Sequence, residues 1–284
     1  MTDTLRILHL SDTHLFGDGR LHYGIVDTLA GLDRVLARAA TLRELDVVVA
    51  SGDLSDDGTA ASYRRLQSTL EPWAAERGAA IVYAMGNHDL RDGFEEVLGA
   101  RETVTDVRGF RIVTVDTSVP LAGYGRIDAE QLDRLREVLA APAEHGTVVV
   151  LHHPPVPPTT VLFEPLRFVD PQPLIDVCAD GDVRLILAGH YHHGLVTDAV
   201  ASGTEGRRIP VVVAPAVANT TDVLWPAPHE RAVRGAGFGW VQLPAGGPVR
   251  AHLLTAPARD DGETVYDLDP AAIQRIAGDA GWRG

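Results

Sequence analysis

The chain has 284 residues, with 25 Lys+Arg against 39 Asp+Glu and a formal net charge of −14. That balance argues against a nucleic-acid partner, which needs a basic footprint, and against polybasic attachment to an anionic membrane. All 25 cations are Arg, which excludes a lysine nucleophile or P-loop lysine, and the single cysteine, Cys178, excludes an intrachain disulfide and a thiolate-rich zinc site.

The chain opens on Met1-Thr2-Asp3-Thr4-Leu5-Arg6, without the basic and then apolar pattern of a signal peptide. A first strand, Arg6–Leu10, runs into Ser11-Asp12-Thr13-His14. Apolar positions at helical spacing predict a helix within Ile25–Leu45. The strand Val47–Ala50 stops at Ser51-Gly52-Asp53, a helix follows over Thr59–Arg77, and the strand Ala80–Ala84 runs into Met85-Gly86-Asn87-His88-Asp89. Phe110–Val115 reads as a strand, Asp128–Ala140 as a helix, and Thr147–Leu151 as a strand ending at His152-His153-Pro154-Pro155. Pro171–Cys178 reads as a helix, and the strand Val183–Ala188 ends at Gly189-His190-Tyr191-His192-His193. Short β segments follow at Leu195–Val200, Arg208–Val213, Phe238–Leu243 and Val249–Leu254. The longest nearly apolar run, Val211–Ala218, is too short to span a bilayer and holds Pro215.

Strands alternating with helices predict a mostly parallel sheet with helices packed on it. The β-rich C-terminal third predicts a second sheet. The expected architecture is a layered α/β/β/α sandwich of two mixed sheets flanked by helices. One domain is expected over 1–258, with a polar tail over 259–284 that carries a short helix near Pro270–Ile276.

Five apolar strands each end in Asp, Asn or His. The carboxyl ends of strands in an open α/β sheet share one edge, where ligands bind. Asp12, His14, Asp53, Asn87, His88, His152, His190 and His192 are therefore expected to converge, although most of the chain separates the first from the last. Carboxylate, amide and imidazole donors suit Mn, Fe, Zn or Co. There are more of them than one tetrahedral ion needs. Two ions sharing a bridging carboxylate would use the set, an arrangement suited to phosphoester hydrolysis.

These blocks resemble the calcineurin-like metallophosphoesterase superfamily: Asp12-Thr13-His14, Gly52-Asp53, Gly86-Asn87-His88-Asp89, His152-His153-Pro154 and Gly189-His190-Tyr191-His192, in the family's order from about Leu8 to His193. Leu10-Ser11-Asp12-Thr13-His14-Leu15, Asp116-Thr117-Ser118-Val119-Pro120 and Leu151-His152-His153-Pro154-Pro155-Val156-Pro157 look like the bacterial class III cyclic nucleotide phosphodiesterases. The resemblance implies a metallo-dependent phosphatase fold and two metal sites. One would use Asp12, His14, Asp53 and His192; the other Asp53, Asn87, His152 and His190, with Asp53 bridging. Asn87, His88 and His192 would face substrate, and Asp89 would hydrogen-bond and orient His88. The implied reaction is hydrolysis of 3′,5′-cyclic AMP to 5′-AMP by in-line attack of a metal-bridging hydroxide, with Mn or Fe favoured and Zn or Co as other occupants. Other readings are a glycerophosphodiester or 2′,3′-cyclic nucleotide substrate, or a non-catalytic scaffold that kept the fold. The expected setting is the cytoplasm, with a small-molecule substrate, neither nucleic acid nor membrane as partner, and a homodimer compatible with the resemblance.

Several residues carry plainer expectations. His153 is expected to be structural or to support a ligand, and His193 and His22 to be loop residues near the cleft mouth. Tyr191, between two ligands, is expected to point into the core. Gly235-Ala236-Gly237-Phe238-Gly239 enters a strand rather than a helix, so it is no dinucleotide fingerprint. Trp225–His229 reads as a surface turn, and Asp260–Glu263 as a solvated acidic run.

Overall fold

The apolar runs expected as strands lack polar alternation because both of their faces are buried. The structure is a computed structural model that describes residues 3–203 and 206–281. In chain order the elements are β1 (Thr4–Leu10), α1 (Thr28–Ala39), β2 (Val47–Ser51), α2 (Ala60–Ala75), β3 (Ala80–Ala84), α3 (Arg91–Val97), β4 (Val104–Val107), β5 (Phe110–Thr114), α4 (Ala129–Leu139) and β6 (Thr147–Val150). A 3₁₀ turn over Val161–Phe163 follows, then α5 (Gln172–Asp180), β7 (Val183–Ala188), β8 (Leu195–Val200), β9 (Arg208–Val213), β10 (Thr220–Thr221), β11 (Glu230–Val233), β12 (Gly237–Pro244), β13 (Arg250–Thr255), β14 (Thr264–Leu268) and α6 (Pro270–Asp279).

One sheet has the order β13-β12-β1-β2-β3 and the other β4-β5-β6-β7-β9-β8, while β10-β11-β14 form a small third sheet. Strands β1 to β3 are parallel, as are β5, β6, β7 and β9; β12, β13, β4 and β8 pair antiparallel at the flanks. Leu5 and Ile7 of β1 and Val47 and Val49 of β2 pack in one cluster with Ile112, Val148, Val150, Leu185 and Leu187 of the other sheet. Their neighbours Leu8, Leu10, Val48 and Ala50 join Leu32, Val35 and Leu36 of α1 and Tyr63, Leu66 and Leu70 of α2. On the far side Val149 and Ile186 pack with α4 and α5 through Leu132, Leu135, Leu174 and Cys178. The α/β/β/α layering is as expected.

Its assembly differs from the expected one. The second sheet begins at β4, in the first half of the chain, and the C-terminal β segments divide: β8 and β9 complete that sheet, while β12 and β13 extend the first. Hydrogen bonding of β12 beside β1, from Thr4–Pro244 to His9–Gly239, joins distant segments in a way no local pattern signals. The helix expected within Ile25–Leu45 is shorter because Asp27 caps α1 by accepting from the Ala30 amide at 3.0 Å.

The segment expected as a polar tail is folded over much of its length. Strand β14 pairs with β11, and Ile273 of α6 is buried in the core beneath the second sheet. The Asp260–Glu263 run lies at the surface, where Asp260 and Glu263 pair with Arg234. Residues 282–284 of that expected tail, and Met1 and Thr2 of the N-terminal stretch, lie outside the described residues. Among the described residues no helix is long and apolar enough to cross a membrane.

Candidate metal centre

Five of the strand-end residues reach the site through a sharp departure from extended backbone. Asp12 and His14 after β1, Asp53 after β2, and His190 and His192 after β7 all have left-handed φ, between 44° and 71°. This conformation costs an ordinary residue about 1–2 kcal/mol, so the surrounding packing must hold it. The motif glycines show how. A Cβ on Gly52, itself at φ 96°, would lie 2.4 Å from His152 Nδ1, and one on Gly189 would lie 2.8 Å from Asp12 Oδ2. Each glycine makes room for a donor from another block.

The donors form two clusters. Ligand atoms of Asp12, His14 and His192 lie within 4.8 Å of one another, as do those of Asp53, His152 and His190. His14 Nε2 stands 3.1 Å from His192 Nε2, a spacing of donors that share one ion. Asp53 Oδ2 is 3.2 Å from His152 Nε2 and 3.7 Å from His14 Nε2, so one carboxylate faces both clusters.

Their outward nitrogens are committed elsewhere. His152 Nδ1–H donates to the Ser51 carbonyl (2.9 Å), His190 Nε2–H to the Leu166 carbonyl (2.9 Å) and His14 Nδ1–H to Asp56 (2.9 Å). These bonds fix the tautomers and leave the other nitrogen of each ring as a lone-pair donor. His152 Nε2 and Asn87 Oδ1 are buried with no hydrogen-bond partner. Orphaned atoms of ligand type, converging with two carboxylates and three further imidazoles, fit a pair of borderline divalent ions.

Electrostatics reinforce the arrangement. Burial works against ionising Asp12, but the His192 imidazole beside it holds its pKa down to about 2. Asp53 is likewise held well below the carboxylate range, against its burial, by His152 and His88. Burial disfavours charge on His152 as well, yet the Asp53 carboxylate raises it to about 9. For His190, burial dominates and lowers the pKa to about 3.

His88 stands at the cleft mouth with its side chain 45% exposed, and its backbone N–H donates to Asp53 Oδ1 at 2.8 Å. Its expected pairing with Asp89 is replaced by another. Asp89 is buried and turned the other way, accepting from the amides of Gly86 (2.8 Å), Ser55 (2.9 Å) and Leu54 (3.2 Å) and from the Tyr63 hydroxyl (3.0 Å). It ties the loops after β2 and β3 together, and burial lifts its pKa to about 7. The carboxylate beside the His88 ring belongs to Asp56, 3.3 Å from Nδ1.

Asp56 was not among the sequence-level candidates. It reaches His14, His22 (3.4 Å) and His88 together. The one local signal was its place three residues after Asp53 in the same strand-end loop. His22 is buried against Asp56 and the His14 ring rather than lying free in a loop. His153 is structural as expected, accepting from the Thr117 hydroxyl (2.8 Å) while its Nε2–H donates to the Gly123 carbonyl (3.3 Å). Tyr191 points into the core and donates to the Val156 carbonyl (2.7 Å), and His193 is buried with its ring stacked on Tyr191. The Trp225–His229 turn lies at the small third sheet, where Trp225 Nε1–H donates to Asp267 at 3.2 Å.

Comparison with known proteins agrees with this geometry. A protein of Rhodococcus erythropolis named as a probable cyclic nucleotide phosphodiesterase is 40% identical over 94% of this chain and 91% of its own. One of Mycobacterium tuberculosis, named as a cAMP/cGMP dual specificity phosphodiesterase, is 41% identical over 81% of this chain and 73% of its own. Among solved structures, a purple acid phosphatase from yellow lupin shares the fold, with a TM-score of 0.63 at 14% identity, over 99% of this chain and 56% of that one. The calcineurin-like phosphoesterase profile matches residues 5–194, the span that carries every donor of both clusters, and the chain belongs to that family.

Proposed function

We propose that the protein hydrolyses 3′,5′-cyclic nucleotides, cyclic AMP to 5′-AMP, at a two-metal centre. The carrying observation is the pair of donor clusters with the Asp53 carboxylate, a member of one, facing the other at 3.7 Å, in a chain whose relatives are named as cyclic nucleotide phosphodiesterases. Calcineurin-like phosphoesterases use two divalent metal ions. In this reading Asp12, His14, Asp53 and His192 hold one, and Asp53, Asn87, His152 and His190 hold the other, with Mn or Fe as occupants. When bound, such a pair offsets charge on the phosphoryl oxygens and makes the attacking water acidic.

The chain's own residues do the rest. Ser51, Leu166 and Asp56 lock the imidazoles so that their donor nitrogens face inward. His88 is the acid that protonates the leaving oxygen. Partial burial opposes its charge, but Asp53 and Asp56 lift its pKa to about 9, so it carries a proton at neutral pH. The lone buried thiol, Cys178, suits a reducing compartment, and we place the reaction in the cytoplasm.

The test is to strip the protein of metal, restore Mn²⁺, and follow products from a panel of phosphodiesters by ³¹P NMR. Activity on cyclic AMP should return with Mn²⁺. Asn87→Ala should lose most of it, and His88→Ala should lower kcat about 100-fold or more while two ions remain bound. Full activity in the stripped protein or in Asn87→Ala would refute the two-metal reading.

A further inference from the structure

The cavity over the donor clusters has a volume of about 330 Å³ and is lined by more than metal donors. Leu162, Phe163, Leu166, Tyr266 and Ile276 also line it, and the Phe163 ring stands 5.2 Å from the His190 ring, so apolar lining begins beside the metal centre. Among the polar side chains that line the same cavity is Asn219. It is 1% exposed, and neither its Oδ1 nor its Nδ2 has a hydrogen-bond partner. A buried amide with both heteroatoms unpaired is costly, and this residue borders a space that a ligand can fill. The backbone before it is fixed, because the Val217 and Ala218 amides donate to the carbonyls of Ser11 (3.0 Å) and Asp12 (3.1 Å).

An amide presents a donor and an acceptor side by side. That pattern matches the N7 acceptor and 6-amino donor of adenine. Aromatic and aliphatic walls suit the faces of the same ring. We propose that this part of the cavity is a nucleobase subsite in which Asn219 reads the N6/N7 edge of adenine, and Phe163 and Tyr266 cover its faces. The inference rests on the cyclic-nucleotide reading above and names the residue that sets base preference. Asn219 and Tyr266 lie beyond the residues matched by the family profile, so base preference belongs to this chain's C-terminal third.

The test compares cyclic AMP, its 7-deaza analogue and bis(p-nitrophenyl) phosphate on the Mn²⁺-loaded enzyme. The wild type should lose about tenfold in kcat/KM on replacing N7 with carbon. Asn219→Leu should raise KM for cyclic AMP and close that gap to less than about twofold. Tyr266→Leu should raise KM for both nucleotides together, with the gap between them kept. Equal wild-type efficiency on the two nucleotides would overturn the inference without any variant having to fold. So would an undiminished gap in Asn219→Leu, or an equal loss on bis(p-nitrophenyl) phosphate, which would put Asn219 at phosphorus. A wild type active on bis(p-nitrophenyl) phosphate but inert on cyclic AMP would instead refute the cyclic-nucleotide reading itself.

Discussion

Asp56 supports three imidazoles with one carboxylate: His14 in a donor cluster, His88 at the cleft mouth, and His22 between them and Tyr23. Removing it frees the outward nitrogen of His14 and the ring of His88 at once. Asp56→Ala should lower activity about 10- to 100-fold, the usual effect of losing a hydrogen-bond partner behind a metal ligand. Steady-state kinetics with metal quantified in the same samples would show whether the loss falls on ion content or on turnover. At this scale the sequence was legible where a residue type and its neighbours narrow the chemistry, as in Asp12-Thr13-His14. It was silent on Asp56 and misplaced Asp89. Which carboxylate meets the His88 ring depends on how the loops after β2 and β3 fold against each other, and adjacency in the chain does not report that.

The elements show a similar division. Strands with continuous apolar runs were legible because burial on both faces demands such runs, and helices such as α1 because apolar residues recur at helical spacing along the buried face. Strand β14 was obscured by its polar composition; helix α6 was expected near Pro270–Ile276, but its docking through Ile273 was not. Their attachment runs through β11, where Glu230 is 2% exposed; it accepts from the Thr160 hydroxyl at 2.8 Å and the Leu162 amide at 3.3 Å. This carboxylate ties the small third sheet to the turn that carries Phe163. Glu230→Ala leaves a buried amide unpaired and should lower stability by about 1–3 kcal/mol, measured as a shift in the urea midpoint.

At the scale of the whole molecule, the site draws on both sheets, which pack face to face through one shared core cluster. Asp12, Asp53 and Asn87 come from the first sheet, His152, His190 and His192 from the second, and ions shared between them would bridge the layers. Chelation should therefore lower the melting temperature by about 5–10 °C, from the loss of a ligand held well above its dissociation constant. In the metal-free protein Asp53 keeps His152 protonated up to a pKa of about 9, and only the neutral ring binds metal. Returning Mn²⁺ at pH 7 should thus release protons, a release that fades as the pH rises through about 9; an indicator dye in weak buffer would register it. The net charge of −14 would not oppose a small anionic substrate here, since two divalent ions would bring +4 against the −2 of Asp12 and Asp53. The sequence by itself determined the layer architecture, the donor types and the edge where they gather, because burial periodicity and strand-end position are local properties. Only the tertiary structure decided which sheet each C-terminal strand joins, which carboxylate holds His88, and that Asn219 and Tyr266 close over the cavity. Those outcomes depend on contacts between segments far apart in the chain, whose partners no local pattern specifies.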